Sequence, residues 1–221
     1  LYNLQRAGDP TLRAEDFSGD VCVAGLDLAS KVDIASRVRV FKRGNDDDAH
    51  YYAFSRNYVP QSAVDKPENQ RYDAWVKKGF LTVTPGNMIS LKTIEEDLVA
   101  DSEKTPIHEV AFDAWGAREM APSLTEQGFT VVDIPMQVRH LSEPMKMIDA
   151  AVDGGRFHHD GNEAFVWMLS NVEVAPDRNE NIFPRKQRAE NKIDAAVALI
   201  VAMARAMVAE AYEPMTDVLV V

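Results

Sequence analysis

One cysteine in 221 residues rules out an internal disulfide. Cys22 lies in the apolar run Val21-Cys22-Val23-Ala24, where it reads as a small buried hydrophobe, and that suits a reducing cytoplasm. Also missing is any run of the ~18 to 20 apolar residues that would span a bilayer, and the N-terminus has no basic segment followed by an apolar one. The expectation is a soluble, unsecreted protein with no membrane partner. Positive charge is scarce: 24 Lys and Arg against 35 Asp and Glu leave a formal net charge of -11. Such a chain does not coat nucleic acid by bulk electrostatics, so any DNA contact must be local. There is no Gly-x-x-x-x-Gly-Lys-Ser/Thr loop, which excludes ATP hydrolysis through that device. Internal repeats and low-complexity linkers are absent too, so a single domain is the economical reading. What remains is 46% hydrophobic, enough for a sizeable core.

The apolar pattern predicts a strand buried on both faces over Val21 to Leu28, then alternating strands over Ser36 to Lys42 and Tyr51 to Val59. Together these form an antiparallel three-strand meander. Helix and strand then alternate: helix over Pro67 to Lys78, strand over Phe80 to Thr84, helix over Ser90 to Ser102 with Ser90 as N-cap. Strand follows over Glu109 to Ala114, helix over Gly116 to Gln127 stopped by Gly128, and strand over Phe129 to Ile134. Two helices, near Glu143 to Val152 and Asn162 to Leu169, flank a short segment around Arg156. The last helix runs from Lys192 to about Ala211, with Ile193, Val197, Ile200, Ala204 and Met207 at helical spacing. This order is that of an α/β fold with a ribonuclease H-like mixed sheet flanked by helices. Residues 1–19, which open on Leu1 and show no strong period, read as a lead-in segment and fit a chain that begins inside a longer polypeptide. Residues 20–211 form the domain and residues 212–221 a tail.

Three aspartates hold privileged positions: Asp27 ends the first strand, Asp113 ends the Glu109 to Ala114 strand, and Asp194 enters the first turn of the last helix. Carboxylates from separate elements can hold a pair of hard divalent ions, and such a pair clamps the attacking and leaving oxygens of a phosphodiester. Each also has a plain structural reading. Asp194 suits a helix N-terminus, with Asn191 available as the cap, and Asp27 and Asp113 suit turns. Arg178, Arg185, Lys186, Arg188 and Lys192 form the clearest basic cluster, either a solvated loop or a local DNA contact.

Val23 to Ser36, reading Val-Ala-Gly-Leu-Asp-Leu-Ala-Ser-Lys-Val-Asp-Ile-Ala-Ser, resembles the opening strand motif of phage terminase large-subunit nuclease domains. Ala111 to Ala117, with Leu124 and Gly128-Phe129 behind it, is similar to the second motif. Trp167 to Val172, Pro184-Arg185-Lys186 and Lys192 to Leu199 are similar to the closing block. The resemblance covers about residues 20 to 210. It implies a ribonuclease H-like endonuclease that cuts concatemeric viral double-stranded DNA during packaging. The same resemblance implies two divalent cations, Mg²⁺ or Mn²⁺, held by Asp27, Asp113 and Asp194, with Asp33 as a further carboxylate; in the basic cluster, Arg185, Lys186, Arg188 and Lys192 are the candidate DNA contacts. Portal protein, small terminase subunit and an N-terminal packaging ATPase are the implied partners, and the cytoplasm of an infected bacterium the implied location.

Other readings stand beside this one. A resolvase or transposase-type nuclease keeps the carboxylate logic, a silent scaffold of the same fold keeps only the architecture, and Gly25 to Ser30 superficially resembles the phosphate turn of actin-like sugar kinases, except that Ala29 stands where they want Gly. His158-His159-Asp160 reads as a polar loop rather than a zinc site, and Asp46-Asp47-Asp48 as a turn without calcium-loop spacing.

Overall fold

The structure is a computed structural model that describes residues 2–28, 32–44, 48–174, 176–186, 188 and 190–209. A short helix α1 (Tyr2–Arg6) leads into β1 (Val21–Asp27), β2 (Ala35–Arg43) and β3 (His50–Pro60). Then follow α2 (Gln61–Val64), α3 (Gln70–Lys77), β4 (Leu81–Thr84), α4 (Leu91–Lys104), β5 (Glu109–Phe112), α5 (Ala114–Glu126) and β6 (Val131–Asp133). The chain continues through α6 (Val138–Asp153), β7 (Phe157–His159), α7 (Glu163–Ser170), β8 (Val172–Glu173), β9 (Arg185–Lys186) and α8 (Asp194–Ala206).

The seven-stranded sheet has the order β4-β3-β2-β1-β5-β6, with β7 also on β3. The meander is antiparallel, Val23 facing Val40 and Val38 facing Ser55, whereas β5 adds parallel to β1 and β6 parallel to β5. This is the mixed ribonuclease H-like sheet. β1 is central and buried from Val21 to Leu26, which is why its sequence is apolar without alternation. Its side chains still divide by period: Val23 joins the core under α6, α7 and α8, while Cys22, Ala24 and Leu26 join the core under α4 and α5.

Helix α8 lies close on β1 because Gly25 has no side chain. A Cβ there would fall 2.0 Å from the Ala198 carbonyl oxygen and 2.6 Å from the Ala202 nitrogen. Alanines at 195, 198 and 202 line the helix side of this contact. The helix direction is fixed at its far end, where the Arg205 fork meets Glu109, the first residue of β5, at 2.6 and 2.9 Å. α8 therefore runs back against β1 and β5, and its N-terminus overlies their C-terminal ends.

Several expectations need correction. His158 and His159 lie in β7 rather than a loop. His159 is buried, its Nε2 2.9 Å from the Leu4 carbonyl, and it bridges Gly8. Ile193, not Asn191, is the N-cap of α8, and it makes no side-chain cap bond. α6 begins five residues before Glu143 and carries Pro144 inside it. The opening residues join the body, Leu4 in one core and Ala14 and Phe17 in the other. Asp46, Asp47 and the tail at residues 212–221 lie outside the described residues.

Candidate active site

Asp27 is the last residue of β1 and faces Ser36 across the meander. Parallel pairing sets Leu26 beside Phe112, so Asp27, the last residue of β1, and Asp113, the first residue after β5, stand at the C-terminal ends of neighbouring strands. Val23 and Ala111 belong to the core beneath α8. Two-residue periodicity carries Gly25 and Asp27 on β1 to that same face, and Asp113 follows directly on β5. From Arg205 back to Asp194 the helix covers roughly 16 Å, and from Glu109 to Asp113 the strand covers roughly 13 Å. With Arg205 tied to Glu109, the first residue of α8 reaches the strand ends. The register thus places Asp27 and Asp113 at the C-terminal ends of β1 and β5, toward which the first residue of α8, Asp194, is directed.

Their environments differ. Asp27 and Asp113 are half-buried. Asp194 is buried, 6% exposed, and its Oδ2 has no hydrogen-bond partner. Burial pushes its carboxyl above the usual range; the charges of Lys186 and Lys192 oppose that rise and Asp33 adds to it. Among the described residues, no three His, Cys, Asp or Glu side chains are already gathered to hold an ion. The donor set nonetheless fits a hard cation, since it consists of carboxylates alone and one buried oxygen lacks any donor.

Asp33 sits at the same end of the sheet, with its carboxylate taken up. Oδ1 accepts from the Ile34 N–H at 3.0 Å and from the Tyr72 hydroxyl at 3.1 Å, and Oδ2 pairs with the Lys192 ammonium. Lys192, expected to face DNA, is thus turned inward. Lys186 and Arg185 form the exposed strand β9, paired with β8, and Arg188 is exposed just beyond. Tyr72 was missed because an aromatic residue on a short helix carries no sign of the loop it will touch. Burial, and then the charge of Asp33, push its hydroxyl far above the ordinary range, so it stays a neutral donor. Asn171, within the Trp167 to Val172 block, donates from Nδ2 to the Lys192 carbonyl at 2.9 Å and fixes the approach to α8.

The antiparallel three-strand meander, extended by two parallel strands and crossed by α8, defines the class as a ribonuclease H-like fold. The chain belongs to the terminase large-subunit endonuclease family: residues 7–210 match the family described as "Terminase large subunit, endonuclease domain". It is similar to Protein YmfN of Escherichia coli (strain K12), 36% identical over 98% of this chain and 50% of that protein. The crystal structure of the HK97 bacteriophage large terminase is similar at TM-score 0.74 and 20% identity, over 89% of this chain and 43% of that one. A bacteriophage SPP1 large terminase nuclease domain with bound Mn is similar at TM-score 0.53 and 13% identity, over 87% and 90%. The chain spans half or less of the first two proteins.

Proposed function

We propose that this domain is the metal-dependent endonuclease of a phage terminase large subunit, cleaving concatemeric double-stranded viral DNA during packaging. The observation that carries the reading is the parallel β1–β5 register, which ends on Leu26 beside Phe112 just before Asp27 and Asp113, together with Asp194, whose buried Oδ2 has no donor. These three carboxylates would hold two divalent cations, Mg²⁺ or Mn²⁺. When bound, such cations supply Lewis acidity to a scissile phosphate and lower the pKa of water. Asp27 and Asp113 are presented by rigid strand ends, and Asp194 by a helix locked on the sheet through Gly25 and the Arg205–Glu109 pair. The exposed Arg185, Lys186 and Arg188 supply local attraction for the DNA backbone that the net charge of -11 does not. The partners are the portal protein, the small subunit and an N-terminal packaging ATPase, in the host cytoplasm. No described helix is long and apolar enough to cross a membrane.

The test is cleavage of double-stranded DNA in Mn²⁺ by Asp27→Asn, Asp113→Asn and Asp194→Asn, with melting in chelator as the folding control. Each variant is expected to lose about 100-fold or more of the cleavage rate while its melting temperature holds or rises. Near-normal cutting by any of them removes that aspartate from the site, and robust wild-type cutting in excess chelator removes the metal.

A further inference from the structure

We propose that Lys192 is a tethered counter-ion of the carboxylate site, its ammonium holding Asp33 and offsetting Asp194 so that a divalent cation must compete with it to bind. The inference rests on reading the site as a metal centre.

The surroundings of Lys192 carry the argument. Its side chain is 20% exposed and that of Asp33 25%, whereas the surface pair Lys77–Asp73 is 73% and 60% exposed. A lysine meeting a phosphate would lie open to solvent, but this one is folded into the site. Its backbone is pinned by Asn171, so the ammonium works from a fixed root. Asp33 is oriented by Tyr72 and the Ile34 N–H, which leaves Oδ2 for the cation. Lys192 lies two residues before Asp194 in the approach to α8, and Lys186 also lies near that carboxylate.

The ammonium therefore stands among acids that would otherwise repel one another. A lysine is suited to yield that place, because its charge is a compact point on a flexible stem and makes no bidentate fork. A divalent ion brings twice the charge and a preference for carboxylate oxygens, so it displaces the ammonium, though at reduced affinity. The same charge that stabilises the ion-free domain thus raises the metal concentration the domain requires.

The experiment is calorimetric titration with MnCl₂ of wild type, Lys192→Met and Lys192→Arg, together with melting in chelator and in Mn²⁺. Lys192→Met keeps most of the stem and removes the charge. It is expected to bind Mn²⁺ about tenfold more tightly, to melt lower in chelator, and to gain more from Mn²⁺ than wild type. Lys192→Arg, which keeps the charge, should stay near wild type in affinity. Unchanged or weaker Mn²⁺ binding by Lys192→Met overturns the proposal. If Lys192→Met folds only in Mn²⁺, that is the expected result in its extreme form. If it folds in neither condition, Lys192→Gln is judged by the same criteria. Absence of Mn²⁺ binding by folded wild type overturns the metal reading itself, whereas wild-type binding untouched by these substitutions overturns this proposal alone.

Discussion

Two groups of acids sit on opposite faces of the same sheet, and their charges are answered in opposite ways. Under α4, Asp101 receives Arg37 at 2.5 Å and Arg39 at 3.5 Å, and Arg39 also donates to Thr105 at 2.8 Å. One turn earlier, Asp97 takes Arg56 at 3.0 Å and the Tyr58 hydroxyl at 2.9 Å. Burial alone would depress the Arg37 guanidinium, but its contact with the Asp101 carboxylate and the charge of Asp97 help to raise it instead. Under α8, Asp194 keeps an oxygen with no donor, and Asp33 is held by a lysine rather than an arginine fork. The α4 carboxylates are each met by a guanidinium, whereas Asp194 keeps one buried oxygen without a donor.

The largest expected effect comes from opening the closed group. Asp101→Ala leaves Arg37, with a side chain 3% exposed, facing no partner at that position, and should destabilise the domain by about 3 to 5 kcal/mol in denaturant unfolding. Cleavage per folded molecule should persist. Loss of cleavage with stability retained would erase the contrast between the two faces.

A smaller effect sharpens the comparison at Asp160, a half-buried acid answered mainly by backbone rather than by a close cation. Burial pushes its carboxyl up to about 6 from 3.8, while N–H groups of Asn162, Ser55 and its own residue pull the other way. The folded chain thus holds this proton more tightly than the unfolded chain, and ionisation costs stability. The cost is absent below about pH 4 and complete above about pH 7. Asp160→Asn should raise the melting temperature by roughly 3 °C at pH 8, and the gain should shrink as pH falls through 6. An equal gain at pH 5 would show that charge is not its source.

The meander was legible in the sequence because β1, β2 and β3 are seven to eleven residues long, enough for burial or alternation to show. Ser90 was readable as a cap because its hydroxyl competes locally, accepting from the Thr93 N–H at 3.2 Å. β7, β8 and β9 are two or three residues each, too short for a period, and form only because a partner strand is supplied from afar. Asp27, Asp113 and Asp194 stood out as strand ends and a helix start. Where each of them lies in the fold depends on the β1–β5 register and the direction of α8, which no local pattern encodes. The Lys192–Asp33 pair joins residues far apart in sequence, so the basic cluster read as one surface when one of its members points inward.

The most direct test of the account is anomalous diffraction from crystals of the domain soaked in Mn²⁺. One or two peaks bounded by the carboxylates of Asp27, Asp113 and Asp194 are the predicted result. Ordered crystals with Mn²⁺ at other acids, such as Asp97 and Asp101, and none among these three would contradict it.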